Sequence, residues 1–337
     1  MSIFLTGGAG YIGSHTVVEL LNQGYDVIVT DNFSNSKPEV IKRLSELCER
    51  DFPFYEMDIR DSSMLDTVFN KHDIDCVIHF AGFKAVGESV EKPLEYYSNN
   101  LDSTIALCDA MKRHDVRKII FSSSCTVYGA DNDMPLTEGS STGGCESPYG
   151  WTKFMCEQIL TDAINANDGW SVALLRYFNP IGAHESGRIG EDPRDIPKSL
   201  LPYISQTAIG KFPFLNVYGD DYETPDGTCI RDYIHVVDLA EGHVAAIKYI
   251  ENHTGVCIFN LGTGRGVSVL EFVTAFEQAT GIDIPKKITA RRPGDLPMAY
   301  ASTVKAKNEL KWESKKTLKE ACADTWRWQK ANPNGYD

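Results

Sequence analysis

The chain has 337 residues and a formal net charge of −14, with 42% hydrophobic and 24% charged residues. This length accommodates one large domain or two fused lobes, and the composition is typical of a globular protein. The acidic balance argues against nucleic acid as a partner and against whole-molecule attraction of an anionic substrate, so any phosphate must be held by local donors.

The first half of the chain alternates short apolar runs with segments of helical length. Strands are predicted at SIFLT, DVIVTD, FPFYEMD, DCVIHFA, RKIIFSSS and VALLRYFN. The helices predicted between them cover residues 11–23, 37–50, 62–72, 93–114 and 149–166. This alternation predicts an α/β fold with a doubly wound parallel sheet, right-handed crossovers and helices on both faces.

The pattern changes after the sixth predicted strand. Residues 180–235 are rich in Pro, Gly and Asp, with one helix predicted around 197–210. Further elements are predicted as a strand–helix unit at 230–250, a strand at VCIFNLG, and helices near 268–280, 303–311 and 317–330. We therefore predict a larger domain over residues 1–180, with segments near 230–265 crossing back to it. A smaller α/β lobe over 181–337 is expected to bind the substrate.

Three features bear on location. No run of 18 apolar residues occurs, so no membrane span is predicted. The start of the chain, MSIFLTGGAGYIG, lacks a basic region and a long apolar core, so no secretory signal is expected. The nine cysteines are odd in number and form no C-x-x-C pair. Reduced thiols in the cytoplasm and no metal site are therefore predicted.

A glycine-rich turn, TGGAGYIG, joins the first predicted strand to the first helix and contains Gly7, Gly10 and Gly13. One glycine permits the tight turn, another lets a pyrophosphate approach the backbone, and a third allows close packing of helix on strand. The helix N-terminus adds free N–H groups and a partial positive charge. Although such a turn can also be a turn only, its position favours a Rossmann-type dinucleotide site.

Two carboxylates follow the next strands. Asp31 ends the second strand, 18 residues after Gly13, where a carboxylate is expected to accept hydrogen bonds from the adenosine ribose. Such a carboxylate repels a 2′-phosphate, which favours NAD over NADP. Asp58, in MDIRD, is positioned to accept from the adenine amino group. The alternatives are a turn or cap aspartate for Asp31 and a helix-start carboxylate for Asp58.

The segment SPYGWTK places Tyr149 and Lys153 four residues apart, on one face of a helix. A charged lysine and a cationic nicotinamide both favour the phenolate. Lowering a phenol pKa from about 10 to about 7 requires roughly 4 kcal/mol, which is the order that a charge pair near a protein surface supplies. Tyr149 is therefore predicted to act as a base towards a sugar or alcohol hydroxyl. The alternative is a packed tyrosine beside a surface lysine.

Just upstream, SSSCTVYG places Ser124 at the end of the fifth strand. Its hydroxyl is positioned to bond both a substrate oxygen and the phenol. A plain strand-end serine is the alternative, and this interpretation is favoured for Ser122 and Ser123.

Nine motifs together carry a resemblance over nearly the whole chain: TGGAGYIGSH, HFAGFKAVGES, PLEYYSNN, FSSSCTVYG, SPYGWTK, LLRYFNPIGAH, RDYIHVVDLA, NLGTG and RRPGD. The chain resembles the extended short-chain dehydrogenase/reductase family and, within it, the nucleotide-sugar epimerases. The resemblance implies a tightly held NAD and a UDP-hexose substrate. It implies that Tyr149 removes the 4-hydroxyl proton as hydride leaves C4, that the 4-keto sugar turns over, and that hydride returns to its opposite face. The resemblance therefore implies that the chain interconverts UDP-galactose and UDP-glucose.

The resemblance also implies the ligand contacts. Those to NAD are Gly7, Gly10, Tyr11, Ile12, Gly13, Asp31, Asn32, Phe33, Ser34, Asn35, Ser36, Asp58, Ile59, Phe80, Ala81, Gly82, Lys84, Asn99, Ser124, Tyr149, Lys153 and Phe178. Those to the substrate are Lys84, Ser124, Tyr149, Asn179, Ser199, Leu200, Asn216, Tyr218, Arg231, Arg292, Asp295 and Ala299. The two arginines suit a diphosphate because guanidinium groups bind phosphate oxygens in pairs. The alternatives are an ordinary helix residue for Asn99 and surface positions for the arginines. A homodimer through helices 93–114 and 149–166 is also implied.

The chain departs from some relatives at two positions. Ser199 replaces an asparagine in a PNNL motif, which removes one expected hydrogen bond to the nucleotide sugar. Ala299 replaces a bulky tyrosine. The smaller side chain leaves room for a 2-acetamido group, so UDP-GlcNAc and UDP-GalNAc are predicted as further substrates.

Three other functions were weighed. A 4,6-dehydratase needs an extra acid and base, usually an Asp-Glu pair after strand five, where this chain has Cys125 and Thr126. An epimerase for UDP-xylose or UDP-glucuronate remains an alternative. A nonenzymatic NAD-binding regulator is disfavoured because Ser124, Tyr149 and Lys153 are all present.

Overall fold

The computed structural model describes residues 1–194, 196–292 and 294–337, so Pro293 of the RRPGD motif lies outside the described residues. Its strands are β1 (Ser2–Thr6), β2 (Asp26–Asp31), β3 (Phe54–Glu56), β4 (Cys76–His79), β5 (Lys118–Ser124), β6 (Ser171–Tyr177), β7 (Asn179–Ile181), β8 (Leu215–Tyr218), β9 (Ile230–His235), β10 (Gly255–Leu261), β11 (Gly266–Ser268), β12 (Lys286–Thr289) and β13 (Met298–Ala299). Its α-helices are α1 (Tyr11–Asn22), α2 (Glu39–Cys48), α3 (Ser62–Lys71), α4 (Val86–Glu91), α5 (Pro93–Arg113), α6 (Pro148–Asn165), α7 (Leu200–Ala208), α8 (Val236–Ile250), α9 (Val269–Thr280) and α10 (Leu318–Ala331).

A seven-stranded parallel sheet organises the larger part of the molecule, in the order β10-β6-β5-β4-β1-β2-β3. In register, Thr6 on β1 lies opposite Thr30 on β2 and His79 on β4. The strand order reverses between β1 and β4, and ligands of such sheets bind at the carboxyl ends of the strands beside this switch point. The predicted doubly wound parallel sheet is confirmed.

Two apolar layers cover the sheet, one on each face. Alternation along β5 places Ile120 in the layer formed with α1, α2 and α8, and Ile119 and Phe121 in the layer formed with α3, α5 and α6. Strand β6 is buried along its whole length. A strand buried on both faces is mostly apolar, which explains the continuous run that predicted it. Arg176 is the charged exception, and it is paired with Glu157.

A second, smaller sheet is built on β9. It pairs with β11 in antiparallel fashion and with β7 and β13 in parallel fashion, while β8 pairs separately with β12. A distinct apolar cluster that includes Leu201, Phe272 and Phe276 packs these strands against α7, α9 and α10. Within residues 230–265, β9 lies in the small sheet, whereas α8 packs on α1 and β10 joins the edge of the large sheet.

Several elements differ from the sequence predictions. Five strands were missed, namely β7, β8, β11, β12 and β13, because each has only two to four residues and depends on a distant partner. Helix α4 was also missed. A helix predicted over 303–311 is a π-helix at Ala306–Leu310. None of the helices in the described part of the chain combines the length and hydropathy needed to cross a lipid bilayer.

Candidate active site

The glycine turn forms a close-fitting cradle between β1 and α1. Gly7 has a φ of +70°, and a Cβ atom added there would lie 2.7 Å from the backbone nitrogen of Ala81. A Cβ on Gly13 would lie 2.4 Å from the Gly7 carbonyl oxygen. Gly10 precedes α1 and supplies no side-chain cap, so the amides of the first turn have no side-chain acceptor. The turn therefore offers bare backbone and free donors, as a pyrophosphate requires.

Asp31 organises the turn after β2. Its carboxylate accepts from the backbone nitrogens of Ala9 (3.0 Å) and Phe33 (2.9 Å) and from the hydroxyl of Ser36 (2.8 Å). Burial raises the pKa of Asp31, and these donors oppose that rise. Asp31 thus connects residues 31–36 to the glycine turn. This matches the alternative interpretation of Asp31 as a turn aspartate. Its ribose contact stays a prediction. The other polar residues of the turn are exposed: Asn32, Ser34 and Asn35.

Asp58 has a partner that the sequence analysis did not predict. The Arg60 guanidinium donates to both carboxylate oxygens, at 2.9 and 2.6 Å, and lowers the pKa of Asp58. The capping residue of α3 is Asp61, whose side chain accepts from the backbone nitrogens of Ser63 and Met64. Asp58 is therefore not the helix-start carboxylate. The predicted apolar cofactor residues are buried or half-buried: Ile12, Ile59, Phe80, Ala81 and Phe178.

The loop after β4 is held by Asn100, which was missed in the sequence analysis. Its side chain accepts from the Phe83 nitrogen (2.8 Å) and donates to the Phe83 oxygen (3.1 Å) and to the Thr152 hydroxyl (3.0 Å). Asn99 donates to the Asn100 side-chain oxygen at 3.0 Å. A Cβ on Gly82 would lie 3.2 Å from that same oxygen. An amide on the buried face of α5 was the signal that could have identified Asn100.

Lys153, one of the three predicted catalytic residues, is buried. Its ammonium donates to the Ser122 carbonyl at 2.6 Å and lies 5.9 Å from the centre of the Tyr149 ring. Burial lowers the pKa of Lys153 to about 8. The sequence analysis had given Ser122 no role, because a main-chain acceptor leaves no trace in side-chain patterns.

The phenol of Tyr149 is not acidic in the protein alone. Burial raises the pKa of Tyr149 to about 12, and the Ser124 hydroxyl acts in the opposite direction. Ser124 accepts from the Thr126 hydroxyl at 3.0 Å and from the Thr126 backbone nitrogen at 3.3 Å. Lys153, bonded to the Ser122 carbonyl, is not among the groups that shift the phenol. The expected pKa near 7 therefore requires more than this chain supplies by itself.

A buried ion pair between Glu157 on α6 and Arg176 on β6 holds the helix against the sheet. Arg176 donates to both Glu157 oxygens, at 2.9 and 2.7 Å, and the Ser123 hydroxyl donates to Glu157 at 2.5 Å. The guanidinium carbon of Arg176 lies 4.7 Å from the Tyr128 ring centre. These contacts fix the helix that carries Tyr149 against β5 and β6.

On the side of the small sheet, the structure brings four predicted substrate residues together. Asp295 lies between two arginines, accepting from Arg292 Nε at 3.0 Å and lying 3.6 Å from Arg231. The Arg292 guanidinium lies 4.7 Å from the centre of the Tyr218 ring. Arg231 also donates to the Ile230 and Leu296 carbonyls, each at 2.8 Å. Both arginines therefore have restrained geometry at a surface that can receive phosphate oxygens.

The remaining predicted substrate residues lie on several other elements. Ala299 on β13 pairs with Arg231 on β9. The Ser199 hydroxyl donates to Glu191 at 3.4 Å, and Lys84 also donates to Glu191, at 3.2 Å. Asn179 is the first residue of β7, and Leu200 is the first residue of α7. Asn216 lies on β8.

A family model described as the NAD dependent epimerase/dehydratase family matches residues 3–262 of this chain. The chain belongs to this family. It is 57% identical to the UDP-glucose 4-epimerase of Bacillus subtilis over 100% of this chain and 99% of that one. It is 54% identical to the UDP-glucose 4-epimerase of Mus musculus, over 99% and 98% of the two chains. The UDP-glucose 4-epimerase structure from Bifidobacterium longum in complex with NAD+ and UDP superposes with a TM-score of 0.96, at 53% identity, covering 99% of this chain and 100% of that one.

Membership of this epimerase/dehydratase family confirms the predicted resemblance and the predicted cofactor, NAD. The chain fits such a cofactor on its own geometry, because the side-chain-free turn and the uncapped α1 face the switch point of the sheet. The individual NAD and substrate contacts stay predictions. Of them, Tyr149 and Lys153 lie on α6 and Ser124 ends β5, which is two strands from β1 in the sheet.

Proposed function

We propose that this chain interconverts UDP-galactose and UDP-glucose by inverting C4 of the hexose. The observation that carries this proposal is the placement of Ser124, Tyr149 and Lys153 at the carboxyl edge of a dinucleotide-binding sheet. Full-length relatives that bear the name UDP-glucose 4-epimerase support it. We assign the NAD domain to residues 1–180, with parts of 230–265, and the UDP-sugar lobe mainly to 181–337.

Bound NAD supplies the acceptor and donor for the C4 hydride. Tyr149 takes the proton of the 4-hydroxyl and later returns it, while Ser124 holds the same oxygen. In the protein alone the Lys153 ammonium is held by the Ser122 carbonyl; it favours the phenolate once it turns towards the Tyr149 hydroxyl, because a nearby positive charge stabilises the charged form of the phenol. With a pKa of about 8, Lys153 remains mostly protonated at neutral pH.

The nucleotide part of the substrate is held more firmly than the hexose. Arg231 and Arg292 bind the diphosphate, and Asp295 keeps the two guanidinium groups in place. Binding energy is thus concentrated on the nucleotide, which leaves the hexose free to turn about its diphosphate linkage. That freedom is what presents either face of C4 to the cofactor.

A single assay tests the proposal. Purified protein mixed with UDP-galactose, without added NAD, should form UDP-glucose, measured with a coupling dehydrogenase after the protein is removed. Heating the same protein should release NAD. Failure to form UDP-glucose, both without and with added NAD, would contradict the proposed reaction.

The same assay extends to acetamido sugars. Ala299 is half-buried and small, so we expect turnover of UDP-GlcNAc. Ala299→Tyr should lower kcat/KM for UDP-GlcNAc about tenfold or more, since overfilling a packed site costs about 1–3 kcal/mol. UDP-galactose should be affected much less, and Ala299→Ser serves as the matched control. No turnover of UDP-GlcNAc by the wild type would rule out this wider range.

We propose a homodimer that uses α5 and α6. Leu94 and Ile105 lie on one side of α5 and are 80% and 45% exposed, and Met155 on the neighbouring α6 is also exposed. Large apolar side chains grouped in this way are typical of a buried interface. Light scattering should give twice the monomer mass of 37.5 kDa, and Leu94→Glu should shift the protein towards monomer. A wild-type monomer at micromolar concentration would exclude this arrangement.

A cytoplasmic location is proposed from the cysteines. All nine are free, and most are buried. Unpaired thiols in this number are typical of a reducing compartment. Cell fractionation tests the location.

A further inference from the structure

A short segment, residues 190–194, contacts the loops that follow β2 and β4, and we name it the strap. We name the space between these two loops the groove. Three of its side chains reach the loops that follow β2 and β4. Arg194 donates to the Phe33 carbonyl and, at 3.2 Å, to the Ser36 carbonyl. Glu191 accepts from Lys84 at 3.2 Å. Asp192 lies 3.3 Å from the Lys37 ammonium.

The position of these contacts in the sheet makes them relevant to the cofactor. Strands β2 and β4 are the two neighbours of β1, whose following turn forms the glycine cradle. Residues 31–36 and 80–84 therefore flank the cradle on opposite sides. The strap joins one flank to the other, so it bridges the groove between them.

The strap is anchored by the last helix and the residues after it, not by the groove. The Tyr336 hydroxyl accepts from the Gly190 nitrogen (3.0 Å) and donates to the Gly190 oxygen (3.1 Å), while its backbone nitrogen donates to Asp192 (3.1 Å). The Trp328 indole donates to the Glu191 carbonyl at 3.2 Å. Tyr336 and Trp328 are both buried, so this end of the strap is rigid.

The contacts that hold the strap to the last helix are stronger than those that hold it to the groove loops. The anchor consists of buried aromatic groups, whereas the groove side is held by side chains of Lys84 and Arg194 that are exposed to solvent. Exposed charged contacts are individually weak and break readily. The strap can therefore release the groove loops while it remains attached to Tyr336.

We propose that Glu191 and Arg194 are positioning residues that slow the release of NAD by holding residues 31–36 and 80–84 together across the groove. This inference rests on the proposed function, because it concerns the same cofactor site. Arg194 acts on the adenosine side by fixing carbonyls of a turn in which Phe33 already has a φ of +52°. Glu191 acts on the other side through Lys84.

The test measures release of NAD from the purified holoenzyme. Wild type, Arg194→Gln, Glu191→Gln and Arg194→Lys are diluted into a trap that consumes free NAD, and bound NAD is followed over time. We expect release about two- to fivefold faster from Arg194→Gln and Glu191→Gln, the range that loss of one exposed charged contact allows, with partial recovery in Arg194→Lys, which can donate to one carbonyl. Arg265→Gln is the control, because Arg265 forms an exposed pair with Glu271 away from the groove.

Tyr336→Phe provides a second, independent arm. It removes the two hydroxyl bonds to Gly190 without touching a groove loop, and it should also speed release. Combined with Arg194→Gln, it should add little, because both act through the strap. Wild-type release rates in the Glu191 and Arg194 variants would overturn the inference and leave the proposed reaction intact. A wild type that retains no NAD would overturn the inference together with the claim of a resident cofactor.

Discussion

Replacing Tyr149 with phenylalanine should lower kcat for UDP-galactose epimerisation about a thousandfold, because a positioned acid–base group typically contributes 10²- to 10⁴-fold. The ring and the α6 backbone are retained, so the cradle formed by the glycine turn is untouched. The variant should keep its NAD and bind UDP. Rate, heat-released NAD and UDP affinity are measured on one preparation.

The matched control for this variant is Tyr249→Phe. That change removes a hydroxyl that donates to Glu309 in the π-helix at Ala306–Leu310, which is not part of the cradle. It should leave kcat within twofold. A Tyr149→Phe enzyme that retains more than a tenth of wild-type kcat would show that another group moves the proton.

Glu157→Gln should destabilise the protein by about 3–5 kcal/mol, since removing one partner of a buried ion pair leaves the other charge uncompensated. The side chains of Glu157 and Arg176 are only 7% and 4% exposed. Glutamine keeps one oxygen that can accept from the Ser123 hydroxyl, but its NH2 group cannot accept from Arg176 as the second carboxylate oxygen does. Urea unfolding followed by circular dichroism measures the change.

Two comparisons sharpen this measurement. Glu271→Gln breaks an exposed pair and should cost less than about 1 kcal/mol. Adding Arg176→Met to Glu157→Gln should recover part of the loss, because the unpaired charge is then gone. A cost for Glu157→Gln equal to that of Glu271→Gln would mean that the pair is not isolated from water.

The large sheet was predictable because its signals are local. Each of its seven strands was predicted from a short, largely apolar run bounded by turns, and the glycine turn marks the first crossover. The small sheet was not predictable from the sequence. Its strand β13 has only two residues, and these form a strand because they pair with β9. The edge strand β10 could be recognised as a strand, but its partner β6 could not be chosen from the sequence.

The site was predictable at the level of residue type and less so at the level of contacts. Spacing identified Tyr149 and Lys153, yet the carbonyl of Ser122 that holds the lysine has no side-chain signal. The position of Arg176 inside the apolar run VALLRYFN was a signal for a buried partner, which proved to be Glu157. Asp31 and Asp58 were recognised as carboxylates, but the donors already bonded to them depend on how the turns close.

The late arrival of β10 has a consequence for synthesis of the chain. The ribosome releases β1 to β6 first, and the fully buried β6 then carries an unpaired row of backbone donors and acceptors on its outer side. That edge stays open until residues 255–261 emerge and add the seventh strand. Nascent chains of intermediate length can therefore aggregate through this exposed strand edge. A chaperone that covers exposed strands would bind such chains.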